Sequence, residues 1–179
     1  MKLLNQSKLG LLAILALVIT LTSCKKLDNL VQVNLELQMA QVPFTIQPTT
    51  GGTTSTTGIA YYNVDSAIKA SNSSFGEGNI KSAKIDSVVV TLTNSTFTGV
   101  TNTSASFHSD ADTATIGIAG NTNSSTSSSL TLLPLTTLDL TNYLKATSFT
   151  YTFTSTYPTI ANPIQANAAV YFHLVVGPN

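Results

Sequence analysis

The clearest pattern in the chain is an alternation of apolar and polar residues near its N-terminus. The apolar positions of this run are Val31, Val33, Leu35, Leu37 and Met39. A period of two predicts a strand with one buried face, so Leu35 and Leu37 are expected to point inward and Glu36 toward solvent. The alternation resumes over residues 42–46 after a predicted bend. Pro43 fits an edge strand or a bulge there, because proline donates no hydrogen bond to a ladder.

Further short strands are predicted along the rest of the chain, at residues 59–64, 85–93, 97–100, 104–108, 113–119, 130–135, 149–154 and 168–176. The Thr-, Gly- and Ser-rich run 49–58 predicts an exposed loop. Short helical segments are predicted at 65–70, 80–84 and 138–145, with Asp65 as the N-cap of the first. Many short strands with little helix predict an all-β fold, an antiparallel two-sheet β-sandwich that is Ig-like in general architecture.

The first 23 residues have the layout of an export signal. Lys2 and Lys8 precede an almost unbroken apolar run from Leu9 to Leu21, which is shorter than the ~20 residues that a membrane-spanning helix needs. The junction Leu21-Thr22-Ser23-Cys24 resembles the lipobox of bacterial lipoproteins, and Cys24 is the only cysteine. The resemblance implies that Cys24 receives a lipid and becomes the first mature residue. The alternative is a free or buried thiol after an ordinary signal peptide.

Composition excludes one class of partner. All the basic residues are lysines, and the segment from Cys24 onward carries six lysines and eight acidic residues, a net charge of −2. A nucleic-acid-binding protein needs a basic stripe, usually with arginine, so no nucleic-acid partner is expected. Thr, Ser and Asn make up about a third of the chain, which is typical of strands and turns in exported β-proteins.

Several segments together resemble the small β-sandwich lipoproteins of Bacteroidota. These are the lipobox, the early alternating strand, the stretch 85–92, and the segment 138–145 that precedes 148–153. The resemblance covers most of the mature chain but consists of apolar patterns, and it implies fold and location without an activity. We therefore expect a signal peptide at 1–23, a lipid-anchored tether at 24–29 and a single β-sandwich domain at 30–179. The expected location is the outer membrane of the cell envelope, in either its periplasmic or its surface leaflet.

Two clusters are candidate ligand sites. His108, Asp110 and Asp112 would share one face of an extended segment and offer oxygen and imidazole ligands to a divalent cation. The alternative is a polar turn. Tyr61 and Tyr62 follow the predicted 49–58 loop and are candidate stacking residues for a saccharide, with core packing as the alternative.

A modification pattern is also present. Asp65-Ser66-Ala67, Asp86-Ser87-Val88 and Asp112-Thr113-Ala114 match the O-glycosylation sequon of Bacteroidota, more often than composition alone predicts. Ser66, Ser87 and Thr113 are therefore candidate glycan acceptors, which would add bulky, solubilising groups to a chain with few charges.

These patterns favour a non-enzymatic, membrane-anchored component of the cell envelope with a structural, adhesive or assembly role, without a cofactor. Its expected partners are the lipid bilayer, through acylated Cys24, and an envelope protein or glycan. The first alternative is a module that binds a saccharide or peptide for an outer-membrane system. The second is a hydrolase, for which only His108 and His173 offer an imidazole base.

Overall fold

The computed structural model describes residues 32–112, 115–119, 126–135 and 138–178. These ranges contain eight strands: β1 (Val33–Ile46), β2 (Gly52–Tyr61), β3 (Ile80–Leu92), β4 (Thr101–Ser109), β5 (Ile116–Ala119), β6 (Ser129–Pro134), β7 (Ser148–Tyr157) and β8 (Ile164–Val176). They also contain helix α1 (Val64–Ser71) and 3₁₀ turns at Glu77–Asn79 and Tyr143–Lys145. No helix in this part of the chain has the length and apolar character to cross a membrane. The predicted signal segment, Cys24 and the tether at 24–29 lie outside the described residues.

The strands form two antiparallel layers, β1-β8-β3-β6 and β5-β4-β7-β2. A short pairing of β5 with β6, through Ile118 with Pro134 and Ala119 with Leu133, joins the layers along one side. β1 and β2 are the outer strands on the other side. The two-sheet β-sandwich is confirmed. Its strand order, which the sequence left open, is that of a jelly roll, an eight-stranded double sheet built from two Greek keys.

Aromatic side chains hold the two layers together. Phe44 of β1 stacks on Phe153 of β7 with ring centroids 4.4 Å apart. Phe107 of β4 meets Phe172 of β8 edge-on at 6.5 Å. Each pair joins the two layers, and such ring contacts stabilise a core by ~0.5–1.5 kcal/mol beyond area burial. The buried apolar side chains form one continuous core.

The first strand agrees with its prediction. β1 is one strand that pairs with β8 throughout, with a register shift between Gln38 and Gln41. Leu35 and Leu37 are buried, and Glu36 is exposed. Pro43 is exposed on this edge strand, where its missing N–H costs no ladder bond.

The prediction of an exposed loop at 49–58 was wrong, because residues from Gly52 onward form β2. Threonine is β-branched and suits a strand. β7 also offers a matching row of hydroxyls: Thr53, Ser55 and Thr57 bond Thr156, Thr154 and Thr152 at 2.9, 2.7 and 3.3 Å. These partners are about a hundred residues away, so composition alone gave no sign of them.

Three local predictions also need correction. Residues 80–84 are the start of β3 rather than helix, since β8 supplies a partner strand for them. Residues 97–100 form a turn, closed by the Val100 N–H on the Phe97 carbonyl at 3.0 Å. The helix at 65–70 is confirmed as α1, but its N-cap is Asn63, whose Oδ1 accepts the Ser66 N–H at 2.8 Å.

Several strand ends meet at one end of the sandwich, which we call the α1 end. Val33 and Ile80 both pair with Val176, so β1 and β3 begin there and β8 ends there. β2 ends at this same end, at Tyr61, and α1 follows it. The opposite end carries the loop between β1 and β2.

Candidate binding groove

A groove of about 750 Å³ lies at the α1 end of the sandwich. It is lined by the last residue of β2, the start of α1, the 3₁₀ turn at 77–79 and the segment 145–147 before β7. Beyond the last β2 residue, Tyr62 still donates its N–H to the Thr147 carbonyl at 3.2 Å. Asn63 then caps α1, so the chain turns sharply out of the strand and leaves space beside it.

The two candidate stacking tyrosines do not act as a pair. Successive residues of a strand point to opposite faces, and Tyr61 is 77% exposed whereas Tyr62 is half-buried against the core. Both line the groove. The Tyr62 hydroxyl is buried, has no hydrogen-bond partner among the described residues, and burial raises its pKa to about 12. Tyr61 alone therefore presents a ring to a ligand.

One wall of the groove is held by the Asp65 carboxylate. Asp65 accepts hydrogen bonds from the Lys69 ammonium and from the Glu77 N–H, the latter at 3.0 Å. These bonds, above all the one from Lys69, lower the pKa of Asp65. A Cβ at Gly76 would lie 2.4 Å from Asp65 Oδ1, so a larger residue there would displace the Asp65 carboxylate. Asp65 thus fastens α1 to the 77–79 turn.

The remaining groove residues mix charges and polar groups. Glu77 and Lys145 are exposed and carry opposite charges, and Lys145 donates to Asn142 Oδ1 at 3.4 Å. The groove thus offers one exposed aromatic ring beside charged and hydrogen-bonding groups. Of these lining residues, the sequence analysis identified only the two tyrosines as ligand contacts. Lys145, Glu77 and Thr147 were missed, because only the fold brings them together.

The predicted metal cluster lacks the geometry on which it depended. β4 ends at Ser109, and a turn follows in which the Ser109 N–H bonds the Asp112 carbonyl at 3.0 Å, so residues 108–112 are not extended. Asp110 accepts the Thr147 hydroxyl at 2.9 Å and the Thr147 N–H at 3.1 Å. Among the described residues, no three His, Cys, Asp or Glu side chains are grouped as a metal site. His108, Asp110 and Asp112 therefore do not form one.

Both aspartates of that cluster have structural contacts instead. The Thr147 hydroxyl is the main cause that lowers the pKa of Asp110, and these bonds tie the end of β4 to the start of β7. Asp112 is hydrogen-bonded to the buried Tyr143, whose pKa is raised first by burial and then by this carboxylate. The alternative interpretation, a polar turn, therefore describes the segment.

The sequons lie in different environments. Ser66 is exposed in the first turn of α1. Ser87 is half-buried within β3, opposite Tyr171 of β8. Thr113 lies outside the described residues. Of the candidate acceptors that the structure describes, Ser66 is the accessible one.

No protein-family model and no curated protein matches the chain. Among solved structures it is similar to the VP2 subviral particle of infectious bursal disease virus, at 13% identity and a TM-score of 0.37, over 82% of this chain and 33% of that one. The Gx strain of the same virus gives 12% identity and a TM-score of 0.40, over 82% and 32%. A full particle of Israeli acute paralysis virus heated to 63 degrees gives 11% and 0.32, over 82% and 75%. The chain thus spans about a third of the two bursal disease virus chains.

Proposed function

We propose that the chain is a non-enzymatic lipoprotein of the cell envelope, anchored to the outer membrane through acylated Cys24, with a structural or adhesive role. The observation that carries the proposal is the junction Leu21-Thr22-Ser23-Cys24 directly after an apolar run. β1 begins at Val33, so the intervening residues span at most ~30 Å. Two or three acyl chains hold a protein to a bilayer essentially permanently, since each buried CH₂ contributes ~0.8 kcal/mol.

The anchor is tested by Cys24→Ala in the native host. The variant is expected to lose label from radioactive palmitate and to leave the membrane fraction, because no other thiol is present. Ser23→Ala, which keeps the cysteine and a small residue before it, is the matched control. Palmitate incorporation by the Cys24→Ala variant would contradict the lipobox assignment.

A second candidate function, the binding of a saccharide or peptide, is favoured by the groove at the α1 end. Tyr61 presents an exposed ring beside Lys145 and Glu77. Tyr61→Ala is expected to abolish binding to a glycan or peptide array. Ile59→Ala removes another exposed apolar side chain from the same face of β2, outside the groove, and should leave binding intact. Equal binding by both variants would exclude Tyr61 as a contact.

Ser66 is the accessible sequon serine, and we propose that it carries an O-glycan in the native host. The intact mass of the native protein should then exceed that of polypeptide plus lipid, and Ser66→Ala should remove one glycan mass. Ser87→Ala, at a half-buried site in β3, should leave the mass of the glycan unchanged. A native mass equal to polypeptide plus lipid would remove the proposal.

A further inference from the structure

One edge of the sandwich carries unpaired main-chain groups. Among the described strands, β2 pairs only with β7 and lies at the end of its sheet. Tyr62 donates its N–H to the Thr147 carbonyl, and hydrogen-bonded pairs alternate along an antiparallel ladder. The even-numbered residues of β2 therefore face β7. The N–H and C=O groups of Thr53, Ser55 and Thr57 point away from it, toward the open side.

This edge lacks the features that usually block pairing with another chain. Exposed edge strands are commonly protected by charges, proline or bulges. β1 has all three, in Glu36, Pro43 and the register shift between Gln38 and Gln41. β2 has ten consecutive pairs with β7 without a register shift, and it contains no charged residue and no proline.

The first seven residues of β2 are symmetric in sequence. Gly52-Thr53-Thr54-Ser55-Thr56-Thr57-Gly58 is the same in both directions about Ser55. A two-fold antiparallel pairing centred on Ser55 would place each residue opposite one of its own type. We propose that the β2 edge is a self-association surface, occupied by β2 of a second copy of this chain.

The register of the pairing follows from the direction of the free groups. Ser55 would pair with the partner's Ser55, and Thr53 with the partner's Thr57. These are hydrogen-bonded positions, so three pairs form about six main-chain bonds. The side chains of the same three residues already bond the β7 hydroxyls at 2.7–3.3 Å. Each hydroxyl can still accept another bond, so the row of hydroxyls would continue across the new pair.

Two features of the hydroxyl-rich sheet leave the β2 edge free to pair with a second copy. At Gly58 an added Cβ would lie 2.6 Å from Val42 Cγ1, so the inward face of β2 packs closely against β1 there and the free main-chain edge is not involved in that packing. The strands of this sheet contain no Lys, Arg, Asp or Glu, so two copies do not repel each other through strand charges. A single pair of short strands buries a small area, which is typical of weak complexes.

The test uses the full chain, with wild type and variants prepared identically, in sedimentation equilibrium from ~1 μM to ~1 mM. Wild type is expected to show a reversible monomer–dimer equilibrium. Ser55→Lys places two like charges opposite each other, and it should raise the dissociation constant at least ~tenfold, equivalent to about 1.4 kcal/mol. Ser55→Glu should do the same, whereas an equimolar mixture of the two variants should restore the dimer. Gln38→Lys, exposed on the β1 edge, should leave the dimer unchanged.

Recovery of the dimer in the mixture distinguishes loss of the β2 contact from a folding defect, since misfolded variants would not restore each other's dimerisation. A monomer at all concentrations overturns the proposal. A dimer that is insensitive to both Ser55 variants overturns it too, since another surface would then carry the contact. A labelled peptide of the sequence 52–58 provides a further arm. If the peptide binds while wild type remains monomeric, the edge accepts an isolated strand but not a second folded copy, and the proposal is overturned.

Discussion

The outward faces of the two sheets interact with water through different kinds of side chain. The face of β1-β8-β3-β6 carries charges: Glu36 and Lys84 lie on either side of His173, whose Nδ1 is 3.8 Å from Glu36 Oε1. The face of β5-β4-β7-β2 is covered mainly by threonine and serine, and the strands of that sheet contain no Lys, Arg, Asp or Glu. Hydroxyl groups form hydrogen bonds with each other and with water, and they carry no net charge. This face is therefore polar but does not repel a copy of itself.

The two sheets also differ in their edge strands, β1 and β2, which lie on the side of the sandwich where no strand pairing joins the layers. The charged sheet ends in β1, where the register shifts between Gln38 and Gln41 and Pro43 has no N–H to donate to another strand. The hydroxyl sheet ends in β2, which is regular over its whole length. Charges, proline and bulges all protect an edge strand from pairing with another chain, and this chain places them on β1 and not on β2. The following predictions test this contrast, from the largest expected effect to the smallest.

The two faces of the charged sheet should respond very differently to truncation. Leu35 is buried, so Leu35→Ala leaves a cavity and should lower the free energy of unfolding by ~2–5 kcal/mol. Glu36→Ala, on the exposed face of the same strand, should change it by no more than ~0.5 kcal/mol. Chemical denaturation measures both. Similar losses for the two variants would contradict the assigned faces of β1.

The close packing of β1 against the inward face of β2 at Gly58 should make an added carbon destabilising. Gly58→Ala places a Cβ 2.6 Å from the buried Val42 side chain, and such overpacking typically costs ~1–3 kcal/mol. Gly78→Ala is the matched control, because its Cβ would have no neighbour within 4 Å. Thermal unfolding of both variants checks this. An unchanged Tm for Gly58→Ala would mean that β1 and β2 do not meet there.

Removing one hydroxyl from the uncharged face should have a smaller effect. Thr154→Val keeps a β-branched side chain but loses the 2.7 Å bond to Ser55, so it should cost up to ~1 kcal/mol. Thr131→Val, exposed on the charged sheet, is the control, since its hydroxyl has no protein partner within the described ranges. Urea denaturation distinguishes the two. A loss for Thr131→Val as large as that for Thr154→Val would show that the hydroxyl row contributes nothing specific.

The smallest expected effect concerns acid at the end of the hydroxyl sheet. The hydrogen bonds from Thr147 lower the pKa of Asp110 in the folded state. A depressed carboxyl pKa contributes stability that is present above the unfolded pKa, ~3.9, and is lost as the pH falls through the folded value. Asp110→Asn should therefore reduce the loss of Tm between neutral and acidic pH. Thr147→Ala, which removes the main donor, should reduce it in the same direction; a steeper acid dependence in either variant would contradict this sign.

Where one face of a strand is buried, the sequence pattern was enough to predict the strand. The alternation of Leu35 and Leu37 with polar residues defines β1, because burial of every second side chain is a local property. Residues 52–58 lack that signal. Threonine occupies both faces of this segment, and the hydroxyl partners of Thr53, Ser55 and Thr57 lie on β7. The strand could not be predicted without knowing that β7 lies beside it.

The candidate site was predictable only in part, for a similar reason. The sequence indicated Tyr61 and Tyr62 as candidate stacking residues. Neighbouring residues of a strand point to opposite faces, so only the Tyr61 ring is exposed. The Asn63 cap was missed because Asp65 is also a good capping residue; its carboxylate instead bonds Glu77, twelve residues away. Lys145 reaches the groove from a distant turn. Such contacts are set by tertiary packing rather than by local pattern.

The antiparallel direction of the proposed β2 pair has a geometric consequence for cells. Val33 lies at the Tyr61 end of the sandwich, so the two copies of a two-fold pair would have their Val33 residues at opposite ends. β1 alone, with 14 residues, is ~46 Å long, whereas the chain between Cys24 and Val33 reaches at most ~30 Å. If both copies carry the proposed anchor and stand upright, their lipids cannot enter the same bilayer. The pair would then join two facing membranes, as a cell-to-cell or vesicle-to-cell bridge.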